Sequence, residues 1–252
     1  MSHVTLHVWR VPALRLTRVL WRIAIDRGRL RRTPGIRFAK LLGTGRGRWF
    51  GPGRADPTRW AALVVWDSAA GAESFDATRM ARSWRALATS YCRLDLRPIA
   101  SQGRWAGREA FTPTVKAVTD GPVLALTRAR LRPTRAVTFW RAIGPVAAAA
   151  TAASGLLASF AIGEAPIGWQ GTVSLWRRAS DLVEFAYHHR DHRRVIDRTP
   201  AEGWYAEELF ARFAVLAVTG DRDVIGWAEE GTVPEAMRPE AMGPEAMRPE
   251  QR

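Results

Sequence analysis

The feature that most constrains this chain is an internal duplication. HVTLHVW alternates and predicts a strand; a helix follows from about Pro12 to Arg29. IRFAKLLG and WAALVVW read as the next two strands, then come a helix over Asp67 to Leu87 and a fourth strand, YCRLDLRPI. The second half repeats that order: VLALTRARL, a helix from about Pro133, LLASFAI, GTVSLW, a helix from about Ser180, and a strand near Phe213 to Val218. The punctuation repeats too. Pro12 and Pro133 each follow a first strand and suit the first turn of a helix. Gly35 and Gly155 each open a second strand. Trp66 and Trp176 each end a third, with Phe75 and Phe185 nine residues further on. The order β-α-β-β-α-β is the ferredoxin-like unit. The expected fold class is therefore α+β: two tandem ferredoxin-like units forming an α+β barrel. The units are 1–100 and 122–220, with 101–121 as the connecting loop. Residues 221–252 form a tail of PEAMR repeats, with Pro at every fifth position and no apolar face, and are expected to be disordered.

Charge narrows the class of partner. Lys and Arg number 38 against 24 Asp and Glu, a net +14, and all but Lys40 and Lys116 are Arg. Residues 1–54 hold 13 of these bases and one acid, Asp26, so +12 of the +14 lies in that stretch. On a helical wheel Arg15, Arg18, Arg22 and Arg29 fall within about 60° of one another, apart from an apolar stripe of Leu16, Leu20 and Ile23. A basic amphipathic helix of this kind fits an anionic membrane surface or an acidic protein. Nucleic acid is not expected, because no recognition motif accompanies the charge. GTGRGRWFGPG lacks phosphate-loop spacing and joins two strands, so it reads as a basic connection. One cysteine, Cys92, excludes an internal disulfide framework and a Cys-based zinc site. The N-terminus has no signal-peptide pattern, so the chain is expected in the cytoplasm or peripheral to a membrane. The uncharged stretch from Ala142 to Gly163 is mostly Ala, Gly, Ser and Thr, is broken by Gly144-Pro145, and does not read as a membrane span.

Histidines supply the candidate ligands. His3 and His7 read as ordinary strand residues. His188, His189 and His192 fall in FAYHHRDHRRVI on the fourth helix. With Phe185 as reference, Leu182, His189, Ile196 and His192 lie within about 60° on the sheet-facing stripe. Two imidazoles on one apolar stripe favour a ligand role, and an apolar pocket with one imidazole is what a haem iron needs on its proximal side. No HExxH, Ser-His-Asp or carboxylate-pair spacing is present. Twelve tryptophans suit a broad apolar cavity and an ordinary core equally.

Several segments together resemble the spheroidene monooxygenase family of carotenoid biosynthesis. They are RTPGIRFAKLLGTGRGRWF with WAALVVW, ALTRARLRP, Phe139-Trp140, IGEAPIGWQGTVSLW and WYAEELFARFAVL. They keep their order over most of residues 1–218. The resemblance implies a haem-binding protein of the dimeric α+β barrel type. It would be a monooxygenase that uses O₂ to insert oxygen into a hydrophobic, carotenoid-like substrate, with an electron donor such as ferredoxin. It maps the proximal haem ligand onto His192, with His189 as runner-up and Phe185 lining the cofactor. Lys40 and Arg128 become the distal candidates. A homodimer stays open, as does closure of the barrel within one chain or across two. Alternatives are a non-catalytic protein that binds haem or an apolar ligand, and a haem enzyme resembling the aldoxime dehydratases. The basic N-terminal third and the repeat tail depart from the family pattern.

Overall fold

The alternating segments form strands that close on themselves in the computed structural model, which describes residues 3–46, 54–113, 120–135, 138, 153–164, 169–188 and 203–227. The strands are β1 His3–Arg10, β2 Ile36–Gly45, β3 Ala55–Trp66, β4 Ser90–Gly103, β5 Val123–Leu131, β6 Leu156–Gly163, β7 Trp169–Trp176 and β8 Tyr205–Gly220. The described helices are α1 Leu16–Arg32, α2 Ala69–Phe75, α3 Arg79–Leu87 and α4 Ala179–His188. The barrel runs β1-β3-β2-β6-β7-β5-β8-β4, with every pairing antiparallel, and it closes within one chain.

Corresponding strands of the two halves keep one register. His3 pairs with Trp66 as Val123 pairs with Trp176. A bulge at Ile36/Phe38 recurs at Leu156/Ala158. Gly35 and Gly155, which precede these bulges, take φ of +80° and +78°. The nine-residue spacing is also structural: the Trp66–Phe75 and Trp176–Phe185 ring centroids are each 5.2 Å apart.

Inward side chains of both halves make one core, with Leu6, Leu63, Leu94, Leu126, Phe160, Val173 and Phe213 all buried. A second core fills the outer face of the first half, where Trp9, Val64 and Trp66 meet Val19 and Leu30 of α1, Phe75 of α2 and Trp84 of α3. Each such side chain stabilises the fold by about 1.5–3 kcal/mol.

Four expectations change. The helix expected over Asp67 to Leu87 divides, because Ser68 and Thr78 each cap a new N-terminus, accepting from Gly71 and Ala81 amides at 3.2 Å. The last strand runs 16 residues rather than six, since β8 pairs with β4 on one side and β5 on the other. Residues 101–121 and 221–252 are not wholly loop and tail. Trp105 and Phe111, and Val224 and Ile225 of a short 3-10 turn, pack into the inward core; residues 228–252 lie outside the described residues. Finally, α1 is rotated from the expected wheel. Its buried residues are Val19, Asp26 and Leu30, while Leu20 is 59% exposed. Buried Asp26 sets this rotation by drawing in Arg22 at 3.1 Å, Arg29 at 3.5 Å and the Trp84 indole N–H at 3.0 Å. Of the uncharged stretch, Leu156–Gly163 is strand β6, and no helix of the described residues is long and apolar enough to cross a membrane.

Candidate functional site

Lys40 and Arg128, distant in sequence, meet on the inside of the barrel. Both point inward, Lys40 between Phe38 and Leu42, Arg128 between Leu126 and Arg130. Glu164, just past β6, joins them: Lys40 Nζ donates to its Oε2 at 2.5 Å, and the Arg128 guanidinium to its Oε1 at 2.9 and 3.1 Å. The Trp105 indole N–H also donates to Oε1, at 2.7 Å. Arg128 further pairs with Glu207, which accepts the Ala106 and Gly107 amides at 3.0 and 2.7 Å. Those two amides belong to a tight turn with positive φ at Ala106 (+55°) and Gly107 (+73°). Such a turn costs an alanine roughly 1 kcal/mol, offset here by charge-assisted hydrogen bonds. Burial pushes the Glu207 carboxyl up, but the two amides and Arg128 outweigh it and hold it below the usual carboxylate range. Two cations and two carboxylates thus balance inside the barrel wall, with Arg128 only 2% exposed. Breaking such a buried pair costs about 3–5 kcal/mol, because it strands the partner's charge.

The outer faces of the two halves differ sharply in side-chain size. In the first half Trp9 pairs with Trp60, and Leu41 and Val64 complete the surface under the helices. At the same register positions the second half has Ala129 paired with Gln170, and Ala161 and Ser174. Ala125, Thr127, Ser159, Gly163 and Thr172 face the same way. Small residues let a flat ligand lie against the strand backbone. Phe185 of α4 packs on Trp176 at the margin of this face. His188 ends α4, and His189 and His192 lie outside the described residues.

The described histidine side chains are engaged elsewhere. His3 Nε2 contacts Asp95 at 2.8 Å. His7 is 1% exposed, with Nδ1 on the Tyr91 hydroxyl at 2.8 Å and Nε2 on Thr5 Oγ1 at 2.9 Å. Burial first, then Arg93, lowers its pKa to about 3, so the ring is neutral with both nitrogens committed. Neither is free to ligate a metal, and no metal-binding cluster occurs among the described residues. His3 and His7 cannot ligate a haem iron, and the sequence candidates His189 and His192 lie outside the described residues.

Glu164, Glu207 and Trp105 were missed in the sequence because each acts through a partner far away in the chain. The signal lay within segments already singled out, IGEAPIGW and WYAEEL, where acids follow or enter strands that otherwise face the core.

No protein-family model matches the chain. It is 32% identical over 205 residues to the spheroidene monooxygenase of Rhodobacter capsulatus, covering 80% of this chain and 85% of that one. It is 33% identical over 188 residues to the spheroidene monooxygenase of Rubrivivax gelatinosus, covering 74% and 72%. Among solved structures, an aldoxime dehydratase in complex with butyraldoxime superposes with a TM-score of 0.57 at 9% identity, covering 85% of this chain and 79% of that chain. That last likeness is one of fold.

Proposed function

The chain belongs to the spheroidene monooxygenase family, and from that premise we infer that it is a haem-dependent monooxygenase acting on a long apolar polyene of the carotenoid class. The observation that carries the reading is the unequal pair of outer faces. One is filled by Trp9, Trp60, Val64 and Leu41; its counterpart offers Ala129, Gln170, Ser174 and Ala161. In this reading each half is a ferredoxin-like unit, and the second has exchanged a helix–sheet core for a ligand site.

His192 would hold the iron, with His189 as the alternative and Phe185 against the ring. Bound there, haem supplies the binding and activation of O₂. One oxygen atom enters a C–H bond of the substrate. The other leaves as water, with two electrons and two protons supplied through a donor of the ferredoxin class. Ala129, Ala161 and Trp176 are buried on that face and would limit water there, which would keep the reactive chemistry from being discharged by solvent. Lys40 and Arg128 are paired with Glu164 and Glu207 on the barrel interior. We assign them to holding the turn after β4 in place, rather than to the oxygen-binding side.

The test is an absorption spectrum of the protein as purified and after addition of haem, then after dithionite and CO. A Soret band that shifts with CO and is lost in His192→Ala, with His189→Ala retaining it, supports the assignment. A band unchanged in His192→Ala removes that ligand. No band in the wild-type protein under any of these conditions removes the cofactor.

A further inference from the structure

The exposed face of α1 carries a pattern the catalytic reading does not use. Of six large apolar side chains that stand exposed among the described residues, three lie here: Leu14 (97%), Trp21 (68%) and Leu20 (59%). Leu14 is in the 3-10 turn that leads into α1. With Trp21 as reference at 100° per residue, Leu14, Thr17, Ala24, Ile25 and Gly28 all fall within about 60° of it. The ridge is therefore largely apolar from Leu14 to Gly28 and ends at exposed Arg32, while Leu20 stands about 100° away, level with the Arg27–Arg31 flank. Arginines stand on both flanks, Arg18 and Arg29 on one, Arg27 and Arg31 on the other, all exposed. The helix's one acid, Asp26, is fully buried and taken by Arg22 and Arg29. Beside the Arg27–Arg31 flank opens a half-open cleft of about 590 Å³, with Arg37 and Arg108 at its edge and Leu30 and Phe38 in its wall.

We propose that this face of α1 docks the enzyme on an anionic lipid bilayer, with Leu14, Leu20 and Trp21 entering the headgroup–acyl boundary and the flanking arginines meeting lipid phosphates. A convex ridge of Trp and Leu between rows of cations is the arrangement by which interfacial helices lie in the plane of a membrane. Indole rings suit that depth, being apolar with one polar N–H. The charge complements phosphate, since no exposed acid interrupts it. A bilayer is favoured over an acidic electron donor because Leu14, Leu20 and Trp21 stand exposed among the cations, and a polar contact with an acidic protein would leave that apolar surface in water. α1 packs on β2 and against α3. The benefit of docking where an apolar substrate dissolves rests on the proposed function; the docking surface itself does not.

The experiment is co-sedimentation of the full chain with phosphatidylcholine vesicles and with the same vesicles containing phosphatidylglycerol. A dye attached at Leu14→Cys, in a chain whose own Cys92 is buried, reports insertion. Binding is expected on the anionic vesicles alone, to weaken with salt, and to shift the dye to an apolar signal. Replacing Arg18, Arg27 and Arg31 with Gln should weaken binding by about a hundredfold together, since each basic residue near such a surface contributes about fivefold. Trp21→Ala should weaken it at least several-fold. All four side chains are exposed, so the circular dichroism and melting temperature of these variants should match the parent. Equal binding to both vesicles, no binding to either, or binding that Trp21→Ala leaves untouched would overturn the proposal. None of these readouts depends on haem or turnover, so failure here and failure of the monooxygenase reading are separable.

Discussion

His7 shows how one buried side chain makes stability depend on pH. It lies under Trp9, Phe75 and Tyr91, with ring centroids 5.4 to 6.0 Å away. Burial and the nearby Arg93 lower its pKa from the usual 6.5 to about 3. The sign is fixed by which state takes the proton. Above 6.5 both folded and unfolded chains hold a neutral ring, and the full stability is present. Between 6.5 and about 3 the unfolded chain binds a proton that the folded chain refuses, so stability falls as pH falls. The slope approaches about 1.4 kcal/mol per pH unit. Asp95 and Glu207 act in the same direction but lower: their folded pKa values are depressed, so their stabilisation is lost only as pH drops through the carboxylate range. Urea unfolding from about pH 6.5 down to about pH 5 therefore isolates the histidine. His7→Gln should flatten that slope while lowering stability at neutral pH. An unchanged slope would show that the ring titrates normally.

At the scale of elements, the close approach of β4 to β8 is where a single methyl group matters most. Gly103 ends β4 with φ +90°, and a Cβ there would sit 2.2 Å from the Glu208 carbonyl oxygen, a backbone atom that cannot swing aside. Gly103→Ala should cost at least about 1–3 kcal/mol and expose the Trp105 turn; hydrogen exchange at Trp105–Arg108 would report the loosening. A variant as stable and protected as the parent would show that the strands part easily. The same elements show what was legible beforehand. Strand order and the paired Pro, Gly and Trp positions were readable because alternation and turn residues are local. The nine-residue spacing was readable, and the Trp66–Phe75 and Trp176–Phe185 ring contacts it corresponds to are seen in the structure. β8 was cut short because EELFAR carries a helical pattern that two flanking strands override. α1 was turned wrongly because the wheel weighed Leu16, Leu20 and Ile23 as the buried stripe and left out Asp26, whose burial Arg22, Arg29 and Trp84 stabilise. Lys40 and Arg128 could be picked from sequence, but not their shared partner Glu164, which tertiary folding alone brings to them.

At the scale of the whole molecule, corresponding strands share a register across the two halves, and the halves differ in side-chain size on the outer face. The first half fills its outer face with Trp9 and Trp60; the second has the smaller Ala129 and Gln170 at those positions, both buried. If the second-half face receives the haem, giving it the first half's side chains should close it. Ala129→Trp copies Trp9, and Ala161→Leu copies Leu41, each into a register position where the other half accepts that side chain. Overpacking costs typically about 1–3 kcal/mol, which a barrel with two cores should survive. Both variants are thus expected to keep the parent's circular dichroism and a cooperative melt. Titrated with haem, they should show at least a tenfold loss of affinity by Soret absorbance. Filling the face without touching His192 separates occupancy of the space from loss of the ligand. If the parent takes up haem and both variants take it up equally well, the cofactor sits elsewhere, and the small side chains of the second half serve packing alone.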